Sequence, residues 1–312
     1  MPAITVGIDT SCYTTSLAAC TFAGDICLQK KLMLPVATGE KGIRQSDAVF
    51  AHIKNLQTLL TQTDFAALGE IKAVAASCAP RPAEGSYMPV FMVSKTVGMA
   101  FASAVGARFI ETTHQHAHIY AALIGQHVKP PFLAAHLSGG TSEILRVEEL
   151  APMSGIEILG ATKDIPAGQL VDRIGNRLGF PFPCGPAVEE CAQKAAGTLQ
   201  FKASVAGKSF HFSGVEAQAM RALNAGESSS QVCHAAQAAI AKTIARALIA
   251  AGKETGIQTA LLFGGVICNA MIKGLIAEKL TAEGMEARFA DKQYSADNAA
   301  GLARMAGEFM ER

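Results

Sequence analysis

Apolar and polar positions along the chain predict an alternation of strands and helices that runs twice. Residues 4–9, Ile4-Thr5-Val6-Gly7-Ile8-Asp9, predict a first strand, residues 15–20 a second, and residues 26–32 a third after a turn at Ala23-Gly24-Asp25. Three short strands joined by hairpin turns make a meander. Residues 46–60 carry Val49, Ile53, Leu56 and Leu60 at helical spacing and predict a helix. A strand at 71–77 and a helix rich in small residues at 93–105 follow. The pattern then restarts. Residues 132–137 predict a strand that ends in Ser138-Gly139-Gly140-Thr141-Ser142 and pairs with 143–147. A long alanine-rich helix at 231–251, a strand at 259–263 broken by Gly264-Gly265, and helices at 270–283 and 296–311 complete the chain. The expectation is an α/β protein of two related lobes with mixed sheets. The first lobe covers 1–110 and is completed by the C-terminal helix 294–312; the second covers 111–293. Ligands in such architectures sit near strand ends, which predicts a nucleotide cleft between the lobes.

Composition narrows the classes. The chain has 312 residues, 50% hydrophobic and 17% charged, enough for two packed domains. A net charge of +1 neither demands nor forbids a nucleic-acid partner. With no tryptophan and 6% aromatics, a stacking platform for single-stranded bases is not expected. The eight cysteines form no Cys-x-x-Cys pair, which argues against a cysteine zinc site. The start lacks the basic and apolar regions of a signal peptide, and no apolar stretch is long enough for a bilayer. A cytoplasmic protein with reduced thiols and no membrane contact is expected.

Candidate chemistry centres on Thr113-His114-Gln115-His116-Ala117-His118. His114 and His118 are four apart, so on a helix they share a face and can grip one ion. Taken alone, that spacing leaves metal binding and a structural role both open. Gln115 stands where a His-Glu-x-x-His protease needs its general base, which argues against peptide hydrolysis. His116 falls on another face and is expected behind the site or at the surface. Glycine-bearing turns recur at Ser138-Gly139-Gly140-Thr141, Pro183-Cys184-Gly185-Pro186 and Gly264-Gly265. With the hydroxyl-rich turn after Asp9, they suggest a nucleotide held by several turns rather than by one P-loop.

The set, in order, resembles the bacterial tRNA threonylcarbamoyladenosine transferases, the TsaD family, nearly end to end. The resemblance opens at Gly7-Ile8-Asp9-Thr10-Ser11-Cys12 and runs through His114-Gln115-His116-Ala117-His118 and Ser138-Gly139-Gly140. It continues through Gly168-Gln169-Leu170-Val171-Asp172, Pro183-Cys184-Gly185-Pro186 and Phe210-His211-Phe212-Ser213-Gly214. Gly264-Gly265-Val266-Ile267-Cys268-Asn269 and Ser295-Ala296-Asp297-Asn298 close it. The resemblance implies the actin/Hsp70/sugar-kinase ATPase fold, related to RNase H. It implies His114, His118 and Asp297 as ligands of one divalent metal, iron or zinc. Ser138, Gly139 and Gly140 would line the pocket for ATP or an acyl-adenylate, Asp172 and Asn269 would meet adenosine or ribose hydroxyls, and Gly185 would approach through its backbone. It also implies a tRNA substrate, and a heteromer with a smaller homologous protein and an ATPase.

The chain departs from that pattern. Tyr13-Thr14 stand where the family carries an acidic pair, Thr141-Ser142 where it carries His-Thr, and Val215-Glu216 where it carries Leu-Lys. Residues 79–85 replace a Gly-Pro-Gly loop. A glutamate in place of a lysine is expected to repel phosphate. Two other readings follow: a metal- and nucleotide-binding paralogue without transferase activity, acting as partner or regulator, and a small-molecule kinase or carbamoyltransferase with Asp9 as the kinase's base.

Overall fold

A computed structural model of the protein describes residues 1–11, 13–35 and 43–311; Cys12, part of the opening motif, lies outside them. The chain forms two compact units. The first contains Met1–Gly125, Leu150–Gly155 and the residues from Asp297 onward; the second contains Gln126–Glu149 and Ile156–Ala296. The first unit thus runs past residue 110, where the lobe was expected to end, and takes in the histidine segment.

The first unit is built from β1 (Ala3–Ser11), β2 (Thr14–Thr21), β3 (Ile26–Met33), α1 (Gln45–Thr61), α2 (Phe65–Leu68), β4 (Glu70–Ala79), α3 (Phe91–Val105), β5 (Arg108–Thr113) and α4 (His114–Ala122). Its sheet has the order β3-β2-β1-β4-β5, antiparallel across the meander and parallel across β1, β4 and β5. The second unit repeats this plan. It contains β6 (Phe132–Leu137), β7 (Ser142–Val147), β8 (Ile156–Ala161), α5 (Ala167–Arg177), α6 (Gly185–Gln193), β9 (Ser204–Ala206), β10 (Ser209–His211) and α7 (Ser213–Asn224). These are followed by α8 (Ser229–Thr255), β11 (Thr259–Phe263), α9 (Ala270–Ala282), β12 (Glu286–Phe289) and α10 (Lys292–Ser295). Its main sheet has the order β12-β11-β6-β7-β8, again a meander with two parallel strands added to its first strand. The last helix, α11 (Ala300–Glu311), returns to the first unit.

The expected C-terminal helix at 296–311 is therefore interrupted. Ala296 is extended, and the Asn298 side chain accepts the Ala300 N–H at 2.9 Å, so α11 starts only there. The interruption frees Asp297 from helical geometry. None of the helices among the described residues is long and apolar enough to cross a membrane.

Strand β1 shows how the sequence sets the first unit's layers. Successive side chains on a strand point to opposite faces. Ile4, Val6 and Ile8 share a buried cluster with Leu56, Leu59, Val93 and Ala102, contributed by α1 and α3. The other face carries Thr5, Gly7 and Asp9. Thr5 donates its hydroxyl to the Ala303 carbonyl at 2.5 Å. At Gly7 a Cβ would lie 2.4 Å from the Ala299 carbonyl oxygen and 2.7 Å from the Ala303 nitrogen. Glycine here lets α11 lie directly on β1. Gly301 does the same one layer out, where a Cβ would stand 2.0 Å from the Ala117 carbonyl oxygen of α4. These two contacts are backbone against backbone, so no side chain can yield to relieve a larger residue.

In the second unit, Asp164 ties the segment before α5 to the start of α7. Its Oδ1 accepts the N–H groups of Ile165 at 2.7 Å and Phe212 at 2.8 Å; its Oδ2 accepts the N–H of Ser213 at 3.1 Å and its hydroxyl at 2.5 Å. Burial alone would raise the Asp164 pKa, but these donors to the ionised form lower it from 3.8 to about 2.

Two outcomes follow. Gly301→Ala should lower unfolding free energy by about 1–3 kcal/mol, because a rigid contact must open; urea denaturation reads this, and a change under about 0.5 kcal/mol would show that α11 shifts freely. Asp164 has a depressed folded pKa, so its stabilisation is present above 3.8 and is lost as pH falls from 3.8 through about 2. Asp164→Asn should cost about 1 kcal/mol at neutral pH, a value discounted for the residue's exposure to solvent, and flatten the stability profile across that acid window. Parallel pH profiles for the two proteins contradict the assignment.

Candidate functional site

Strand β5 runs into α4 without a loop. Thr113 ends the strand and caps the helix, its hydroxyl accepting the His116 N–H at 3.3 Å. The Pro80 carbonyl accepts the Gln115 N–H at 3.0 Å, so the 79–85 segment holds the first turn of α4. One turn apart, His114 and His118 then face the same side, with their Nε2 atoms 3.0 Å from each other. Asp297, in the non-helical segment before α11, brings Oδ1 to 3.2 Å from His118 Nε2 and 3.6 Å from His114 Nε2. The three ligand atoms lie within 4.8 Å of one another. Behind them His114 Nδ1 lies 3.1 Å from Asp9 Oδ1, and the Ser77 hydroxyl donates to that same oxygen.

His116 is nearly fully buried and belongs to the frame. Its Nδ1 bonds the Thr113 hydroxyl at 2.7 Å and its Nε2 the Ser154 carbonyl at 3.0 Å, so both nitrogens are engaged. The surface alternative for it is ruled out.

Charge in this cluster is strongly coupled. Burial would lower the His114 pKa, but the Asp9 and Asp297 carboxylates more than offset this and hold it well above 6.5. His118 is pushed below 6.5, first by burial and then by the charge on His114. Burial would raise Asp297, yet the two imidazoles hold it well below 3.8. Two further observations test whether the residues fit a metal. Ligand atoms about 2.1 Å from a shared ion sit roughly 3 Å apart, as these do. Asp9 Oδ2 is buried without a hydrogen-bond partner, which is costly unless positive charge is near. Two imidazoles and a carboxylate suit iron or zinc and leave coordination positions for another molecule. The residues fit one divalent cation.

The kinase reading needs Asp9 exposed to an acceptor. Asp9 is fully buried and already bonded to Ser77 and His114, so nothing favours that reading.

The candidate nucleotide residues all lie in the second unit, on a connected set of turns and helix starts. Leu137 ends β6, and Gly264 rests on its backbone at the end of β11, with φ of 102°. The Ser138 turn is closed on itself: the Ser138 N–H donates to the Thr141 carbonyl at 2.8 Å, and the Thr141 N–H to the Ser138 hydroxyl at 3.0 Å. Gly139 and Gly140 are exposed, with open space where side chains would be. Gly168 packs on this turn and donates its N–H to the Ser138 carbonyl at 3.1 Å. One turn further along α5, Asp172 Oδ1 accepts the Cys184 N–H at 2.9 Å, next to Gly185 at the start of α6. Burial raises the Asp172 pKa.

Asn269 caps α9, its Oδ1 accepting the Ile272 N–H at 2.8 Å, and its Nδ2 donates to Gln237 Oε1 at 3.1 Å. Gln237 in turn donates to the Val188 carbonyl of α6 at 3.0 Å. Asn269 thus holds the frame together, which limits its freedom to turn toward a ligand. Sequence reasoning missed Gln237 and Asp164. Gln237 is one of several polar residues along the alanine-rich α8, so the sequence alone does not single it out.

Glu216 does not stand as a bare negative charge. Its carboxylate is 2.8 Å from the Arg173 guanidinium, which also donates to Gln169 at 3.2 Å. The ion pair joins α7 to α5.

Comparison with known proteins places this geometry. The sequence model of TsaD, tRNA N6-adenosine threonylcarbamoyltransferase, matches residues 36–304. A protein of that name from Trichormus variabilis is 27% identical over 326 residues, covering 98% of this chain and 92% of the relative. One from Thermus thermophilus is 29% identical over 307 residues, covering 96% and 90%. Among solved structures, component A of (R)-2-hydroxyglutaryl-CoA dehydratase from Acidaminococcus fermentans aligns with a TM-score of 0.60 at 14% identity, covering 99% of this chain and 100% of that one. That likeness concerns the fold, the actin/Hsp70/sugar-kinase architecture expected from the sequence. The chain belongs to the tRNA N6-adenosine threonylcarbamoyltransferase (TsaD) family.

Proposed function

We propose that this chain transfers a threonylcarbamoyl group from threonylcarbamoyl-adenylate to the N6 amine of the adenosine beside the tRNA anticodon. Family membership supports a tRNA-modifying transferase. The observation that carries the metal-dependent form is the convergence of His114, His118 and Asp297 on one point. These three side chains would hold a single iron or zinc ion, which when bound supplies Lewis-acid polarisation of the donor carbonyl. The adenylate would sit against the second unit's turns. Gly139 and Gly140 leave room for close backbone approach, and the start of α6 at Gly185 favours an anion. Asp172 spends one oxygen on Cys184 and would offer the other to a ribose hydroxyl. The amine nitrogen attacks the carbonyl carbon, the bond from that carbon to the phosphate oxygen breaks, AMP leaves, and the amine loses a proton. No covalent enzyme intermediate is required. The reading includes a cytoplasmic setting and an assembly with a smaller homologous protein and an ATPase, as the family resemblance implies.

Purified chain, metal, threonylcarbamoyl-adenylate and unmodified tRNA should yield threonylcarbamoyladenosine on nucleoside chromatography. His118→Ala and Asp297→Ala should lower the rate by roughly 100-fold or more, as expected when a Lewis acid worth several kcal/mol is lost. Absence of product with the unaltered chain and its assembly partners refutes the transfer. Product formed equally well by both variants refutes the metal's part in it.

A further inference from the structure

Asp9 is not one of the three converging ligands, yet its Oδ1, which accepts the Ser77 hydroxyl, reaches the far ring nitrogen of one of them, His114. We propose that Asp9 is a positioning residue for the metal: it holds the His114 ring so that Nε2 faces the ion. This rests on the reading of His114, His118 and Asp297 as ligands. Imidazole has two nitrogens, and the bond made by one decides which face the other presents. Here Nδ1 is 3.1 Å from Asp9 Oδ1, leaving Nε2 toward Asp297 and His118. A histidine ligand backed by a carboxylate is both oriented and made more basic.

Asp9 is itself immobile. It lies on the most buried strand of the first sheet, is wholly inaccessible, and its Oδ1 accepts the Ser77 hydroxyl from β4. The β1–β4 register, with Ile8 beside Ala76, puts Ser77 next to Asp9. The strand alternation that sends Gly7 under α11 sends Asp9 to the same face, so one pattern sets both α11 and the His114 ring. Asp9 and Asp297 together also bring two negative charges to the site, matching a divalent cation.

The test measures metal affinity rather than turnover. The full chain is stripped of metal and titrated with Co²⁺ against a chromophoric chelator, and its visible absorption bands are recorded. Asp9→Ala should weaken binding about 10–100-fold and alter the cobalt bands. Asp9→Asn, which keeps an acceptor for Nδ1, should recover part of the loss, and Ser77→Ala should show a smaller one. Circular dichroism of the metal-free variants verifies the fold; if Asp9→Ala does not fold, Asp9→Asn and Ser77→Ala decide. Affinities of all folded variants within twofold of the unaltered chain overturn the proposal. A loss in Asp9→Asn equal to that in Asp9→Ala assigns the effect to charge and overturns the positioning role. His118→Ala separates the levels: unaltered binding there overturns the metal reading and this proposal together, whereas lost binding there with unaltered binding at Asp9 variants overturns only the latter.

Discussion

The first unit depends on a steric permission: α11 can lie directly on β1 and α4 because Gly7 and Gly301 present no side chain. Their backbone partners stand where a Cβ would be, 2.4 Å and 2.0 Å away. Packed interiors do not deform continuously, so this spacing cannot be relaxed by a rotamer change. It brings Asp297, at the entry to α11, within 3.2 Å of His118. Two glycines without chemistry of their own thus set the distance on which the candidate metal centre depends.

Given that distance, electrostatics makes the site demanding. Asp9, His114, His118 and Asp297 are gathered in a cluster in which Asp9 and His118 are buried and the other two half-buried, so isolated charge there is costly. Each group's pKa is moved by its neighbours: His114 up, His118 down, Asp297 down. Without a cation, one proton must serve two Nε2 atoms 3.0 Å apart. A divalent ion removes that conflict, satisfies both imidazoles and offsets both carboxylates. The second unit avoids such tension by a different use of polar residues. Asn269, Gln237 and Asp164 spend their capacity on backbone groups and, for the first two, on each other, and Glu216 pairs with Arg173.

Much of this was legible in the sequence where local pattern and tertiary packing agree. The first meander, the first two strands of the second, the long buried helix and the strand that pairs with each meander's first strand, β4 and β11, were visible as apolar runs between turns. The edge-side strands β5, β8 and β12 were not, since Arg108, Glu157 and Arg288 interrupt their apolar pattern and hydrogen bonding to a neighbour is what holds them. The short helices α5, α6 and α7 gave no prediction of their own; their borders are fixed by Pro166, Cys184 and Asp164, which matter through contacts remote in sequence. His114 and His118 could be paired by spacing, but nothing local links them to Asp297, which only the family resemblance supplied. The partner of Glu216, Arg173, is brought to it by folding and is not legible from their spacing in the chain. Asp9 was the candidate carboxylate for the kinase reading; its burial and its bonds to Ser77 and His114 come from tertiary packing that the sequence does not display.

The repeated topology shows where the site's parts come from. In each unit a meander is extended by two parallel strands; along the chain α4 follows β5, and α11, which belongs to the first unit, follows β12 by way of α10. The two helices meet at Gly301 within the first unit. The histidines lie at the start of one and the aspartate just before the other, so the two helices bring different ligand types to one point. All three ligands lie in the first unit, but Asp297 comes from a segment far from the histidines in the chain. The site requires α11 to cross back and dock, and docking is what Gly7 and Gly301 permit. Metal affinity and the seating of the last helix are therefore linked: an ion that binds only the docked arrangement stabilises it by mass action, and any change that lifts α11 weakens the site even when every ligand is intact.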